Sequence, residues 1–321
     1  MLKRIRLIMI LTIIIVFSFT ALASATTFIR IATGGSGGNY YRIGAGMASL
    51  WNDLFPDLQV SIQATGGSGA NVDLIVDKEV EIAFVGANPA YEAYNNLGQW
   101  ADRPENRYKD MRFVSHGYPN PENFLAMEWA PEIKNMRDLK GKRVSIGMIG
   151  SNDLVYWEQI LQVLGWTMND IIPEYTVHQA CIDQVRNRQI DAVFWTDAAG
   201  SASITEIMET GFARFIDIDE DVVEAMTKDT LDFPFTIPPG SFPNQDQPVK
   251  TFAGSAIMIA HKDVPDDIVY DLIKSTYENQ DFLIDIHPII EYMVLEQALN
   301  GQPFELHPGA EKYYREMGVL K

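Results

Sequence analysis

The 321-residue chain carries 43 Asp and Glu against 25 Lys and Arg, a formal charge of −18. That balance excludes nucleic acid and anionic lipid as natural partners. One cysteine, Cys181, excludes an intramolecular disulfide framework, and a chain of this length buries a large core without one.

The first residues read as a secretory leader. Lys3, Arg4 and Arg6 precede an almost unbroken apolar run, Leu7 to Leu22, and Ala23-Ser24-Ala25 supplies small residues for a peptidase. Cleavage after Ala25 removes three positive charges and takes the formal charge from −18 to −21. Cys181 lies too far from that point to be a lipid-modified lipoprotein cysteine. An exported chain without an anchor is expected in a periplasm.

Strand-like runs then alternate with helical spacing. "FIRIAT" (28–33), "LQVSIQAT" (58–65) and "VEIAFVG" (80–86) predict strands. Tyr40 to Asn52 and Gly69 to Asp77 predict helices between them. "MRFVSHGYPNPENFLAMEW" (111–129) reads as two strand halves around a Pro/Asn-rich middle, a crossing between lobes. A second block follows: "KRVSIG" (142–147), a helix from Asp153 to Leu164, "EYTVH" (174–178), a helix from Cys181 to Arg188, and "IDAVFW" (190–195). Residues 233–248 read as irregular, 250–264 as a strand, and helices finish the chain. The pattern predicts two α/β lobes joined by two crossings, with the carboxyl ends of their strands facing one cleft.

The hexapeptide "ATGGSG" occurs twice, at Ala32 to Gly37 and Ala64 to Gly69, each time after an apolar run. Ser36 sits in a G-x-S-x-G pattern, which raises a secreted serine hydrolase as an alternative. The pattern follows the first strand, the second copy has Ala70 in place of the last glycine, and none of the five histidines has the context of a general base. No Lys-Ser/Thr follows the glycines, and Tyr40 stands where a dinucleotide loop needs glycine. What remains is an anion cradle of backbone N–H groups and helix N-termini, or two tight turns.

"TGGSGGNYYRIG", "TGGSGANVDLI", "LKGKRVSIGMIGS", "IPPGSFP" and "LHPGAEKYYREMG" occur in order. Together they resemble the TAXI family of extracytoplasmic solute receptors, the binding proteins of one branch of TRAP transporters. The resemblance runs from Ile29 to the C-terminus. It implies a two-lobed periplasmic-binding-protein fold, type II-like. Lobe I would be residues 26–118 and 251–321, and lobe II residues 119–250. It implies a non-enzymatic, monomeric receptor without metal or cofactor. Such a receptor delivers a small anionic solute or amino acid, glutamate- or dicarboxylate-like, to a TRAP permease. A ligand-sensing receptor for a signalling partner is a further alternative.

On that resemblance Ser36, Gly37, Gly38, Tyr40, Thr65, Ser68 and Asn71 form one wall of the cleft. Gly150, Ser151, Asn152 and Asp153 face them from the other lobe. Tyr40 is the aromatic that packs on ligand. The chain departs from the family at Asn152-Asp153 and at Trp195-Thr196-Asp197. Trp195 is expected to narrow the pocket or stack on a ligand; Asp153 is expected either to cap its helix or, with Asp197, to repel a dicarboxylate or hold a cationic group. Arg42 and His116 are the candidate positive charges. His307 and its neighbouring tyrosines are expected to dock a terminal helix, not to bind ligand.

Overall fold

The computed structural model describes residues 26–320. The expected leader, residues 1–25, lies outside them. Among the described residues no helix is long and apolar enough to cross a membrane.

The first block runs β1 (Thr27–Ala32), α1 (Asn39–Leu54), β2 (Leu58–Gln63), α2 (Ser68–Val76), β3 (Ile82–Gly86) and α3 (Ala87–Tyr94). The long strand β4 (Met111–Met127) leads to β5 (Arg143–Ser145), α4 (Asn152–Leu164), β6 (Ile172–Glu174), α5 (His178–Arg186) and β7 (Ala192–Thr196). Then come α6 (Ala202–Glu209), β8 (Ala213–Phe215), α7 (Glu220–Thr227), β9 (Phe233–Ile237) and β10 (Val249–His261). The chain ends with α8 (Asp266–Glu278), α9 (Gln280–Ile286) and α10 (Pro308–Glu316).

The strands pair in the order β2-β1-β3-β10-β4-β7-β5-β6, with β8 on β4 and β9 on β10. Each half has a parallel trio: β1 with β2 and β3, and β5 with β6 and β7. The antiparallel pair β4 and β10 joins them, since β4 pairs with β10 up to Pro121 and with β7 from Glu122 onward.

Strand alternation builds a core on each face of each half. In the first half Ile82, Phe84 and Met258 pack with Ile43, Met47 and Trp51 of α1, whereas Ala83, Val85 and Ile257 pack with Val72 and Ile75 of α2. In the second half Phe124 and Phe194 pack with Trp157 and Ile160 of α4. Leu125, Val193 and Trp195 face the other way, onto Cys181, Ile182 and Ile204.

Three elements differ from expectation. The Pro-rich middle of 111–129 does not interrupt the strand. At Pro119 and Pro121 only β10 flanks β4, so the missing N–H groups break no second ladder, and the Pro121 carbonyl still accepts the Asp197 N–H at 3.1 Å. Residues 174–178 are not a strand: β6 ends with its partner β5 at Glu174, and His178 already begins α5. Part of the irregular 233–248 segment is strand β9, which pairs with β10 alone and tolerates Pro234 as an edge does.

The terminal helix docks as expected. The His307 side chain caps α10 by accepting the Gly309 N–H at 3.2 Å, and the buried Tyr314 hydroxyl donates to the Val114 carbonyl at 2.8 Å.

Candidate functional site

Four βα turns, one after each of β1, β2, β5 and β6, open onto a single cleft. It holds about 640 Å³ of free space, its open mouth included. Its wall contains the first residues of four helices: Asn39 of α1, Ser68 of α2, Asn152 of α4 and His178 of α5. Each helix start leaves N–H groups without intrahelical partners and carries the positive end of the helix dipole. Two starts come from each half, so the field they create is concentrated between the halves.

Eight expected residues line this cleft: Gly38, Tyr40, Thr65, Ser68, Ser151, Asn152, Asp153 and Asp197. Ser151 caps α4, accepting the Leu154 N–H at 3.2 Å. Asp153 reaches β7 instead, where Oδ1 accepts the Thr196 N–H at 2.7 Å. The Tyr40 ring stacks on Phe84 with centroids 5.5 Å apart. Its hydroxyl lies beside Ser68 without a hydrogen bond of good geometry.

Five expected residues lie elsewhere. Ser36 is exposed, outside the lining residues, which also separates the supposed nucleophile from the cleft. Gly37 packs against Ser203 of the opposite half. Gly150 bridges the halves through its carbonyl, which accepts the Ala70 N–H at 3.0 Å. Trp195 does not narrow the pocket, because strand alternation turns it into the core, where its indole meets the His178 ring at 4.3 Å. Asn71 sits beneath the turns. Its Nδ2 donates to the carbonyls of Thr33 and Phe84, both at 2.7 Å, and its Oδ1 lies 2.6 Å from Thr65 Oγ1. Asn71 therefore ties β1, β2 and β3 together where the glycine turns begin. Asn71→Ala removes the amide donor from both buried carbonyls, leaving that of Thr33 with the Thr65 hydroxyl alone, and is expected to cost about 1–3 kcal/mol, measured as a loss of denaturation midpoint in urea.

The cleft also uses residues that the sequence reading missed, among them Asn120, Met148, Thr176, His178 and Thr196, and from the expected wall of residues 36–40 it takes Asn39 as well. Asn39 adjoins the glycine loop and was within reach of that signal. His178 was hidden in the supposed strand. Behind Thr196 lies the fully buried Glu122 of β4, whose Oε2 accepts the Thr196 hydroxyl at 2.8 Å.

No Lys or Arg is among the lining residues. Arg42 is exposed and points to the carbonyl of Ile286, and His116 is buried off the cleft. Burial pushes Asp153 up to about 6 and Asp197 up to about 7, and raises Glu122 well above the usual carboxylate range. Desolvation lowers His178 to about 4, so it is neutral at pH 7.

The halves are in contact around the cleft. A Cβ built on Gly69 would lie 2.6 Å from the Gly150 carbonyl oxygen, and one on Gly66 3.3 Å from that of Ile149. Gln159 of α4 donates to Glu92 of α3 at 2.7 Å.

Residues 31–318 match the model of the NMT1-like family. The chain belongs to that family. Solved structures similar to this family member share the fold of binding proteins at low identity. PhnD1 from Prochlorococcus marinus (MIT 9301), in complex with methylphosphonate, superposes with a TM-score of 0.57 at 10% identity, over 92% of this chain and 100% of that one. A structure described as a periplasmic transporter gives 0.51 at 17% identity, over 91% and 93%. An ancestral arginine-binding protein bound to arginine gives 0.50 at 10% identity, over 83% and 98%. The mixed α/β architecture, two sheet halves joined by crossing strands with a cleft between, is therefore a fold that these structures share.

Proposed function

We propose that this chain is an extracytoplasmic solute receptor. It captures a small organic solute by lobe closure and hands it to a membrane permease. The observation that carries the reading is the convergence of four helix N-termini, two from each half, on one cleft. Those N–H groups and dipole ends suit an anionic group such as a carboxylate. A solute held by both walls stabilises the arrangement in which the walls meet, so binding selects the closed state. Residues 26–118 and 251–321 form one lobe in this reading and 119–250 the other, with β4 and β10 as hinge strands. The basic and apolar leader supports export to a periplasm, and the receptor acts as a monomer without a cofactor. The ordered motifs shared with TAXI receptors support an ion-coupled TRAP permease as recipient.

The test has two stages. Thermal shift against a library of small carboxylates and amino acids identifies solutes that raise the melting temperature. Uptake of the best of them is then measured in cells with and without the gene. Deletion is expected to abolish uptake, and collapse of the ion gradient is expected to stop it while ATP is intact. Uptake unchanged by deletion overturns the receptor. Uptake that survives gradient collapse but stops on ATP depletion replaces the TRAP permease with an ATP-driven one. Ester hydrolysis abolished by Ser36→Ala would establish the hydrolase instead.

A further inference from the structure

The helix N-termini account for an anionic group of the solute but leave the opposite pole of the cleft without an explanation. Asp197 follows β7 directly and is 4% exposed. Its Oδ1 accepts the Ala198 N–H at 3.0 Å, whereas its Oδ2 has no hydrogen-bond partner. The Ser201 hydroxyl and the Asn39 N–H lie near the carboxyl without reaching good geometry. Across from it, Asn39 of α1 is 1% exposed, and both atoms of its side-chain amide are unpartnered. The Tyr40 hydroxyl is unpartnered as well. Buried polar atoms of this density are normally satisfied, so these await a group that the protein itself does not supply.

The missing group is a donor with positive charge. The Asp197 carboxyl holds a proton while the cleft is empty; once that proton leaves, its oxygens only accept hydrogen bonds, and an ammonium only donates. Among the described residues no Lys or Arg lines the cleft to neutralise Asp197 or its neighbour Asp153. Among the described residues no group of three or more His, Cys, Asp or Glu is arranged to hold a metal ion.

Resting on the receptor reading, we propose that the captured solute carries a protonated amine, that Asp197 receives it through Oδ2, and that Asp197 gives up a proton as it does so. The exchange balances. Neutral Asp197 and the ammonium form a carboxylate–ammonium pair, and one proton leaves to solvent. The titratable groups facing Asp197 leave it as the acceptor. Tyr40 of α1 and Tyr118 of β4 are phenols that burial keeps protonated. Asp153 of α4 is like-charged when ionised and opposes a charge on Asp197, while Glu122 of β4 and Asp153 oppose each other. Both His178 of α5, near Gly38, and His287, near Gly200, are held neutral by desolvation. The solute is thus a compact zwitterion or a polar amine, with its anionic or polar end toward the helix starts. A dicarboxylate without an amine is excluded.

Matched pairs of small compounds test this: alanine against propionate, glutamate against glutarate, and 4-aminobutyrate against butyrate. Calorimetry is run at pH 6 and pH 8.5 in buffers of different ionisation enthalpy. An amine-bearing member is expected to bind at least 100-fold more tightly than its deaminated partner. Its binding should release close to one proton at pH 6 and almost none at pH 8.5. Asp197→Asn is expected to erase the preference and the proton release together. The proton count on the unaltered protein stands even where that variant folds poorly. Equal affinity within every pair, or binding without proton release at pH 6, overturns the amine while leaving the receptor standing. No binding by any member overturns the amine class and leaves the receptor to the uptake measurement.

Discussion

Gly69→Ala is expected to weaken solute binding by two orders of magnitude or more without lowering the melting temperature of the solute-free protein. Gly69 lies in the first turn of α2, and its added Cβ meets the Gly150 oxygen at 2.6 Å and the Gly150 carbonyl carbon at 3.2 Å. Both atoms are backbone, so no rotamer change relieves the clash. The halves must part, and the Ala70 N–H to Gly150 carbonyl bond goes with them. A 100-fold loss corresponds to about 2.7 kcal/mol, well within the cost of a lost backbone bridge plus steric separation. The three atoms nearest that methyl all belong to Gly150, so parting the halves relieves them, and alanine favours a helix over glycine by up to about 1 kcal/mol. Gly37→Ala provides the contrast, because there the new Cβ meets the Ser203 side-chain oxygen, which can rotate away. A titration in which Gly69→Ala binds as the unaltered protein does would refute the close approach as the closing contact.

The second large effect is on stability. Asp197→Asn should stabilise the solute-free protein by about 2–3 kcal/mol more at pH 8 than at pH 5. Burial raises the Asp197 carboxyl from 3.8 to about 7 in the folded state. The folded protein therefore holds a proton that the unfolded chain has released, so this group's contribution is present below pH 4 and is lost as pH rises through 7. Above that, folding buries a charge, and the neutral amide avoids it. Comparison with the variant is essential, because desolvation lowers His116, His178 and His287 to about 4. Their contribution runs the other way, rising with pH between about 4 and 6.5, and cancels between the two proteins. Urea denaturation at both pH values reads the difference directly, and parallel pH profiles would remove the buried, protonated Asp197.

The contrast between the two blocks is a matter of where chemical information resides. The glycine turns after β1 and β2 were legible because a strand, a tight turn and a helix start each leave a local mark. Period-two alternation placed the core, and the same rule turns Trp195 into it, against the site reading. Three consecutive residues cannot all face one cleft, and the strand turns Trp195 away while Thr196 links Asn152 to Glu122. His178 was lost because Glu174 to Val177 carries a strand pattern that β6, ending with its short partner β5, does not realise. Asn120 and Glu122 have no local signal at all. They enter the site because β4 runs from one half into the other, a property of topology and not of neighbouring residues. Asn71 was legible as a member of the second loop but not as the tie between three strands, since its partners Thr33 and Phe84 are distant in sequence.

The central claim is closure on a solute, and small-angle X-ray scattering tests it most directly. The purified protein is measured alone and saturated with the first compound that raises its melting temperature. Closure predicts a smaller radius of gyration with solute, and a Gly69→Ala protein that stays at the larger value. Identical scattering curves for the free and saturated protein would contradict the account.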